Sequence, residues 1–133
     1  MFKASYLNAC AGVLTGQTFA KPANFYLGVS TSAINSDGSG MSEPAPASGY
    51  VRYLIPNNNS NWNLPVNGVI TNINSIQMNT IIADSGTATY WFLSDSLTGD
   101  AVIWDAFTSP RPLVTSSNIY IDASELKIGV QNV

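Results

Sequence analysis

The side chains equipped for chemistry in this sequence are few, and the carboxylates come first. Asp95 and Asp100 flank the run Ser94-Asp-Ser-Leu-Thr-Gly-Asp100, and Asp105 follows. Two carboxyl groups facing each other across a cleft, one with a raised pKa, are what a glycosidase requires. Two aspartates at the ends of a tight connection are also turn formers with solvated side chains, and that reading is adopted here. Asp37 and Glu43 raise the question of weak calcium binding. The run Ser36-Asp-Gly-Ser-Gly40 lacks the alternating acidic ligands of an EF-hand loop and the Gly-Lys-Ser/Thr ending of a phosphate loop. It reads as a flexible connection between strands, continued by Glu43-Pro-Ala-Pro46. Histidine is absent. Without it no Ser-His-Asp triad or Cys-His dyad can form, and zinc loses its commonest ligand. Cys10, between Ala9 and Ala11, reads as a small packed hydrophobe, because thiol activation needs a basic neighbour. No catalytic residue, cofactor site or metal site is predicted.

Trp62 is the one locally suggestive binding feature, set among Asn57, Asn58, Asn59, Asn61 and Asn63. An exposed indole beside amides can stack on a sugar ring and hydrogen-bond its hydroxyls. It can equally fold back to plug one end of the fold or pack on a neighbouring subunit, and the second reading is preferred because a large apolar group marks a buried contact.

The whole chain supports an association role. Its 133 residues suffice for one domain with one core. Apolar residues make up 45% of it, an ordinary share, but charged residues only 10%, well below the usual quarter. The surface must therefore be rich in Asn, Ser and Thr, with few charges to hold neighbours apart. A net charge of −3, with Lys3, Lys21, Arg52, Arg111 and Lys127 scattered, argues against nucleic acid. No stretch has the length of a membrane-spanning helix. Leu7-Asn-Ala-Cys10 superficially matches a lipoprotein cleavage site, but no apolar segment precedes it.

Phe2, Tyr6, Cys10 and Val13 follow helical spacing, and Gly16 suits a helix C-terminus, which predicts a short helix over Phe2–Leu14. From Asn24 onward the pattern is short β-branched and aromatic runs between turns. The expected strands are Asn24–Ser30, Tyr50–Ile55, Val69–Ile73, Ser75–Ile81, Thr87–Ser94, Ala101–Phe107, Asn118–Ile121 and Leu126–Val130. Ala88, Tyr90 and Phe92 alternate with Thr89, Trp91 and Leu93, so Thr87–Ser94 should be covered on both faces. Gly99 is expected to take a positive φ in the connection that follows. Asp122–Leu126 is expected to make one helical turn. The prediction is a mainly β chain, an antiparallel β-sandwich or jelly roll of about eight strands, forming a single domain over 1–133. Residues 1–16 would be a docking helix and 24–133 the β-body.

Several segments together resemble a family. They are Leu14-Thr-Gly-Gln-Thr-Phe-Ala-Lys-Pro22, Phe25-Tyr-Leu-Gly-Val-Ser-Thr31, Ser42-Glu-Pro44, Gly49-Tyr-Val-Arg52, Ala88-Thr-Tyr-Trp-Phe-Leu-Ser-Asp95 and Gly99-Asp-Ala-Val-Ile-Trp104. Their order is similar to that in small tailed-bacteriophage virion proteins, labelled tail-fibre proteins and close in build to jelly-roll head-decoration (cement) proteins. The resemblance implies a non-enzymatic virion structural protein. Low charge, a β-fold and a free terminal helix favour a capsid decoration protein, stabilising the head across major capsid protein subunits. The alternative is a tail-fibre or baseplate component that binds a host surface glycan. Expected partners are the major capsid protein and copies of the chain itself, as dimer or trimer. It would assemble in the host cytoplasm onto the virion, at the capsid surface rather than the tail. Phe2, Tyr6, Asn57, Asn58, Asn59, Asn61, Trp62 and Asn63 are the expected contact residues.

Overall fold

The alternation in Asn24–Ser30 and Thr87–Ser94 makes these two segments the centre of the fold. The computed structural model describes residues 1–129. In it β1 (Asn24–Ser30) and β5 (Thr87–Ser94) pair antiparallel, with Gly28 opposite Phe92 and Leu27 opposite Leu93. β2 (Tyr53–Pro56) flanks β1, and β6 (Ile103–Pro112) flanks β5, giving a four-stranded sheet in the order β2-β1-β5-β6. Two antiparallel ribbons complete the eight strands. β3 (Val69–Thr71) pairs with β8 (Lys127–Gly129), and β4 (Ile76–Thr80) pairs with β7 (Asn118–Ile121). The chain is thus mainly β, with one short helix, α1 (Ala4–Val13). Val130, the expected end of the last strand, lies outside the described residues.

The main core is the space between the sheet and the ribbons. Leu27 and Val29 of β1, Trp91 and Leu93 of β5 and Ile103 of β6 meet Ile76 and Met78 of β4, Ile119 and Ile121 of β7 and Ile128 of β8. On the opposite face Phe92 and Trp104 are fully covered by Ile34 and Met41. The double coverage expected for β5 is therefore present, with one change. A register shift between Ala88 and Tyr90 turns Ala88 into the main core beside Trp91. Between the pairs Ala88–Arg111 and Tyr90–Ala106 the outer strand carries three residues more than β5, and the alternation is not kept across the irregularity. The partner strand β6 runs past the expected Phe107 to Pro112. Prolines are tolerated there because β6 is the outer strand of the sheet.

The covering segment, residues 31–49, is built rather than loose. Its Ser42 N–H donates to the Ser30 hydroxyl at 2.9 Å, and its Gly38 carbonyl accepts from Ala101 N at 3.0 Å. Glu43 anchors it. Arg52 Nε and Nη2 donate to the two Glu43 oxygens at 2.9 and 2.8 Å, and Tyr50 Oη donates to Oε1 at 2.7 Å. Arg52 Nη1 also donates to the carbonyls of Ser96 and Gly99, both at 2.9 Å. Its guanidinium lies 4.9 Å from the centre of the Phe92 ring. The same group explains why β2 starts at Tyr53 instead of Tyr50. The Tyr50 hydroxyl accepts the Val29 N–H at 3.1 Å, taking the place of a further strand bond. Gly99 does not take a positive φ. The turn is closed by Arg52 and by the Ser94 hydroxyl, which accepts from Ser96 N at 3.3 Å. Asp122–Leu126 forms a non-helical turn with Ser124 at φ 65°. It is stitched by buried Asn72, whose amide donates to Asp122 O and accepts from Leu126 N.

Two outcomes follow for stability. Arg52→Ala leaves Glu43 partly buried without its cation, and is expected to cost about 3 kcal/mol in urea unfolding. A Cβ at Gly28 would lie 2.2 Å from Phe92 Cζ and 2.7 Å from Tyr50 Oη. Gly28→Ala is expected to cost about 1–3 kcal/mol by the same measurement.

Candidate functional site

Residues 1–3 decide where the helix sits. Phe2 bridges Ile103 on the open side of β6, Trp104 N donates to Met1 O at 2.9 Å, and Lys3 N donates to Val102 O at 2.9 Å. α1 then leaves the sheet and ends at Val13, with Leu14 as a right-handed cap; Gly16, expected at the helix end, takes its left-handed φ of 91° two residues further on. It touches the body along one edge only. Tyr6 is half-buried and meets Phe19 edge to face, ring centres 5.5 Å apart. No residue of α1 is fully buried. Cys10, expected to pack, is exposed instead. The docked edge runs through Tyr6, Ala9 and Gly12, one step round the helix from the expected Cys10 and Val13.

The Asn57–Asn63 run lies across from the helix. Its amides build the loop itself. Asn57 Nδ2 donates to Pro22 O at 3.0 Å, and Lys21 Nζ donates to Asn57 O at 2.7 Å. Asn58 Oδ1 accepts from Ser60 N at 2.9 Å, and Asn61 Nδ2 donates to Pro56 O at 2.9 Å. Asn63 Nδ2 donates to Thr71 Oγ1 at 2.9 Å. The turn they form drives Trp62 inward. Its ring is 6% exposed and stands edge-on to Phe25, centres 6.2 Å apart. Trp62 therefore presents no face to a sugar ring. It plugs the fold, as the preferred reading expected. Its Nε1 is buried with no partner among the described residues.

Between helix and loop lies a groove of about 480 Å³. Phe2, Tyr6, Asn57, Asn58, Asn59, Trp62 and Asn63 all border it, so seven of the eight expected contact residues converge there. Asn61 does not. It faces the other side of the loop, towards Asn72 and Asn74. The groove's further lining is mainly apolar, with Phe19, Phe25, Leu64 and Ile70 prominent, and it includes Lys21. Sequence spacing gave no sign of Phe19 or Leu64, because each reaches the groove through tertiary packing alone.

The carboxylates do not gather. Asp95 is exposed at the head of the β5–β6 turn, beside Tyr6, and Asp100 is exposed at its end. Asp105 accepts from its neighbour Ala106 N at 2.8 Å. Asp37 accepts from Ser39 N and Oγ at 3.0 and 2.6 Å, while Glu43 is occupied by Arg52 and Tyr50. Among the described residues no three His, Cys, Asp or Glu side chains are grouped to hold a metal.

A family model described as Podophage GP4 fiber I protein gp80 matches residues 4–129. The chain belongs to this family. No curated protein matches it. Membership makes it a phage fiber protein, a structural component of the virion. It favours the fiber over the capsid surface, so the expected decoration role gives way. Low charge, a β-fold and a projecting helix report that a surface is to be covered; they do not say by which partner.

One titration checks the helix contact. Burial, with the Asp95 carboxylate beside it, pushes the Tyr6 phenol up to about 12. A folded-state value above the unfolded one, near 10, means stability that is full below pH 10 and declines as pH rises through the folded value. Tyr6→Phe is expected to flatten that alkaline decline in unfolding curves.

Proposed function

We propose that this chain is a non-enzymatic subunit of a phage tail fiber, held to neighbouring virion chains through α1 and the groove beside it. The observation that carries the reading is the state of the helix. α1 contains no charged residue, yet none of its side chains is fully buried. Leu7 is 44% exposed, Leu14 just beyond the helix 89%, and Leu64 at the groove rim 72%. Apolar groups left in water on a ten-residue helix of marginal intrinsic stability favour its being covered on assembly. The partner is another virion chain, copies of this chain included. β2 adds a second surface for it, since an outer strand with exposed Tyr53 and Leu54 can accept a neighbouring strand. Many such contacts, each weak, gain strength from repetition along a fiber.

The double variant Leu7→Asp, Leu14→Asp tests this. Both side chains are exposed, so unfolding in urea is expected to shift by no more than about 0.5 kcal/mol per site. Purified particles are expected to lose the chain. Wild-type incorporation of the variant would refute the helix contact, and imaging that finds the wild-type chain on the shell and not on fibers would refute the fiber role.

A further inference from the structure

The two outer strands of the four-stranded sheet are protected unequally. β6 is covered where it begins, since Trp104 N donates to Met1 O and Lys3 N to Val102 O, and its far end carries Pro110 and Pro112. Covering segments and prolines keep a strand edge from recruiting another chain, as do charges placed along it. β2 has only Pro56, at its end. From Tyr53 to Ala83 the chain carries no charge, and the Arg52 side chain beside the strand is turned onto Glu43. Val51, Tyr53 and Leu54 are exposed.

The free backbone groups of β2 follow from its pairing. Asn57 N donates to Ala23 O at 2.9 Å, and the register sets Ile55 opposite Phe25 and Tyr53 opposite Leu27. Antiparallel ladders bond alternate pairs, so Tyr53 and Ile55 spend their N–H and C=O on β1. The Leu54 N–H and C=O and the Arg52 C=O point the other way, and no described residue bonds them. The Pro56 carbonyl, next along the edge, is taken by Asn58 N and Asn61 Nδ2. β4 begins across an opening of about 100 Å³ and makes no backbone bond to β2.

From this open edge we infer that β2 pairs antiparallel with β2 of a second copy of the chain, about a two-fold axis through Tyr53. The inference rests on the reading of the chain as an assembling fiber subunit and names the partner of β2. Spacing selects the register. With Arg52 opposite Leu54, the Leu54 N–H of each copy donates to the Arg52 C=O of the other, and the Leu54 C=O faces the Arg52 N–H. Centred on Leu54 instead, the Arg52 carbonyl would face Pro56, which has no N–H. Self-pairing needs only what this chain presents, whereas head-to-tail addition of β2 to β6 is blocked by residues 1–3. The two Tyr53 side chains then meet in a non-bonded pair, with Cβ atoms about 4.5–5.5 Å apart. The contact closes on itself and leaves α1 and the groove to other virion chains. It is smaller than the roughly 1,200 Å² of a stable free-standing interface. In dilute solution its Kd is expected to be on the order of 0.1 mM, a weakness that the local concentration in a fiber offsets.

Sedimentation of the purified full chain, up to a concentration on the order of 1 mM, is expected to show a monomer–dimer equilibrium. Leu54→Pro removes an outward N–H and spares the bonds to β1, and is expected to weaken dimerisation at least about tenfold. Tyr53→Glu is the second variant; it keeps every backbone group, sets two carboxylates side by side, and is expected to give the same loss. In a Cys10→Ser background, Tyr53→Cys is expected to form a disulfide-linked dimer on oxidation. Val51→Cys is not, because the register sets the two copies of residue 51 about 13 Å apart. A monomer throughout, a dimer that survives both edge variants, or a cross-link at residue 51 and not at 53 would overturn the proposal. Dimerisation is read on the purified chain and incorporation on particles, so the β2 contact and the helix contact can fail separately.

Discussion

The clamp of Arg52 on Glu43 sets the architecture on which the rest of the molecule depends. A nineteen-residue segment, 31–49, has to lie across the outer face of the sheet so that Phe92 and Trp104 are dry. Its own apolar contribution is small, chiefly Ile34 and Met41. A bidentate ion pair with both partners largely out of solvent supplies what that contact lacks. It is a fixed attachment at Glu43, reinforced by Tyr50 and extended by Arg52 into the β5–β6 turn. Such a pair adds little net stability over an apolar substitute, but it is intolerant of losing one member. Its contribution is to position. One guanidinium fixes the covering segment, the start of β2 and the turn that carries Asp95.

The strand centres were legible in the sequence because they obey one local rule, alternation between turn clusters. Asn24–Ser30, Thr87–Ser94 and Asn118–Ile121 need nothing else, and their boundaries agree with the structure. The helix and the other strands differ at their ends by one to five residues, and for two of these differences the structure shows a reason. β2 is shortened because Tyr50 and Arg52 are drawn to Glu43. β6 is lengthened because an outer strand tolerates Pro110 and Pro112. Ala88 changes face through a register shift that no property of Ala88 announces. Gly99 looked like a positive-φ turn residue, yet the turn is held from outside by Arg52. At Tyr50 and Gly99 a tertiary contact through Arg52 and Glu43 overrode a local preference.

The contact region was legible for a different reason. Phe2 and Tyr6 stood out as aromatic residues on a terminal helix, and Trp62 as an indole in an amide-rich loop. Each must find cover, and the fold brings their cover together in one groove. The chemistry of that groove was less legible. Asparagines in a row suggest free amides, but short polar side chains in a loop are first drawn to nearby backbone. Asn58 and Asn61 follow that rule, Asn57 bonds the distant Pro22 carbonyl and Asn63 the Thr71 hydroxyl, and the turn they make puts Trp62 beside Phe25.

Tyr6 and Phe19 line the groove and also an opening of about 430 Å³ bounded by Ala20, Asn24, Tyr26 and Asp95, which makes α1 a wall common to the two. The helix is hinged on residues 1–3, where backbone bonds to Val102 and Trp104 fix one end. Its other end, past Gly16, is held by no comparable ladder. What holds α1 is therefore its first turn and the edge-to-face contact of Tyr6 with Phe19, and the exposed remainder of the helix has little packing of its own among the chain's described elements.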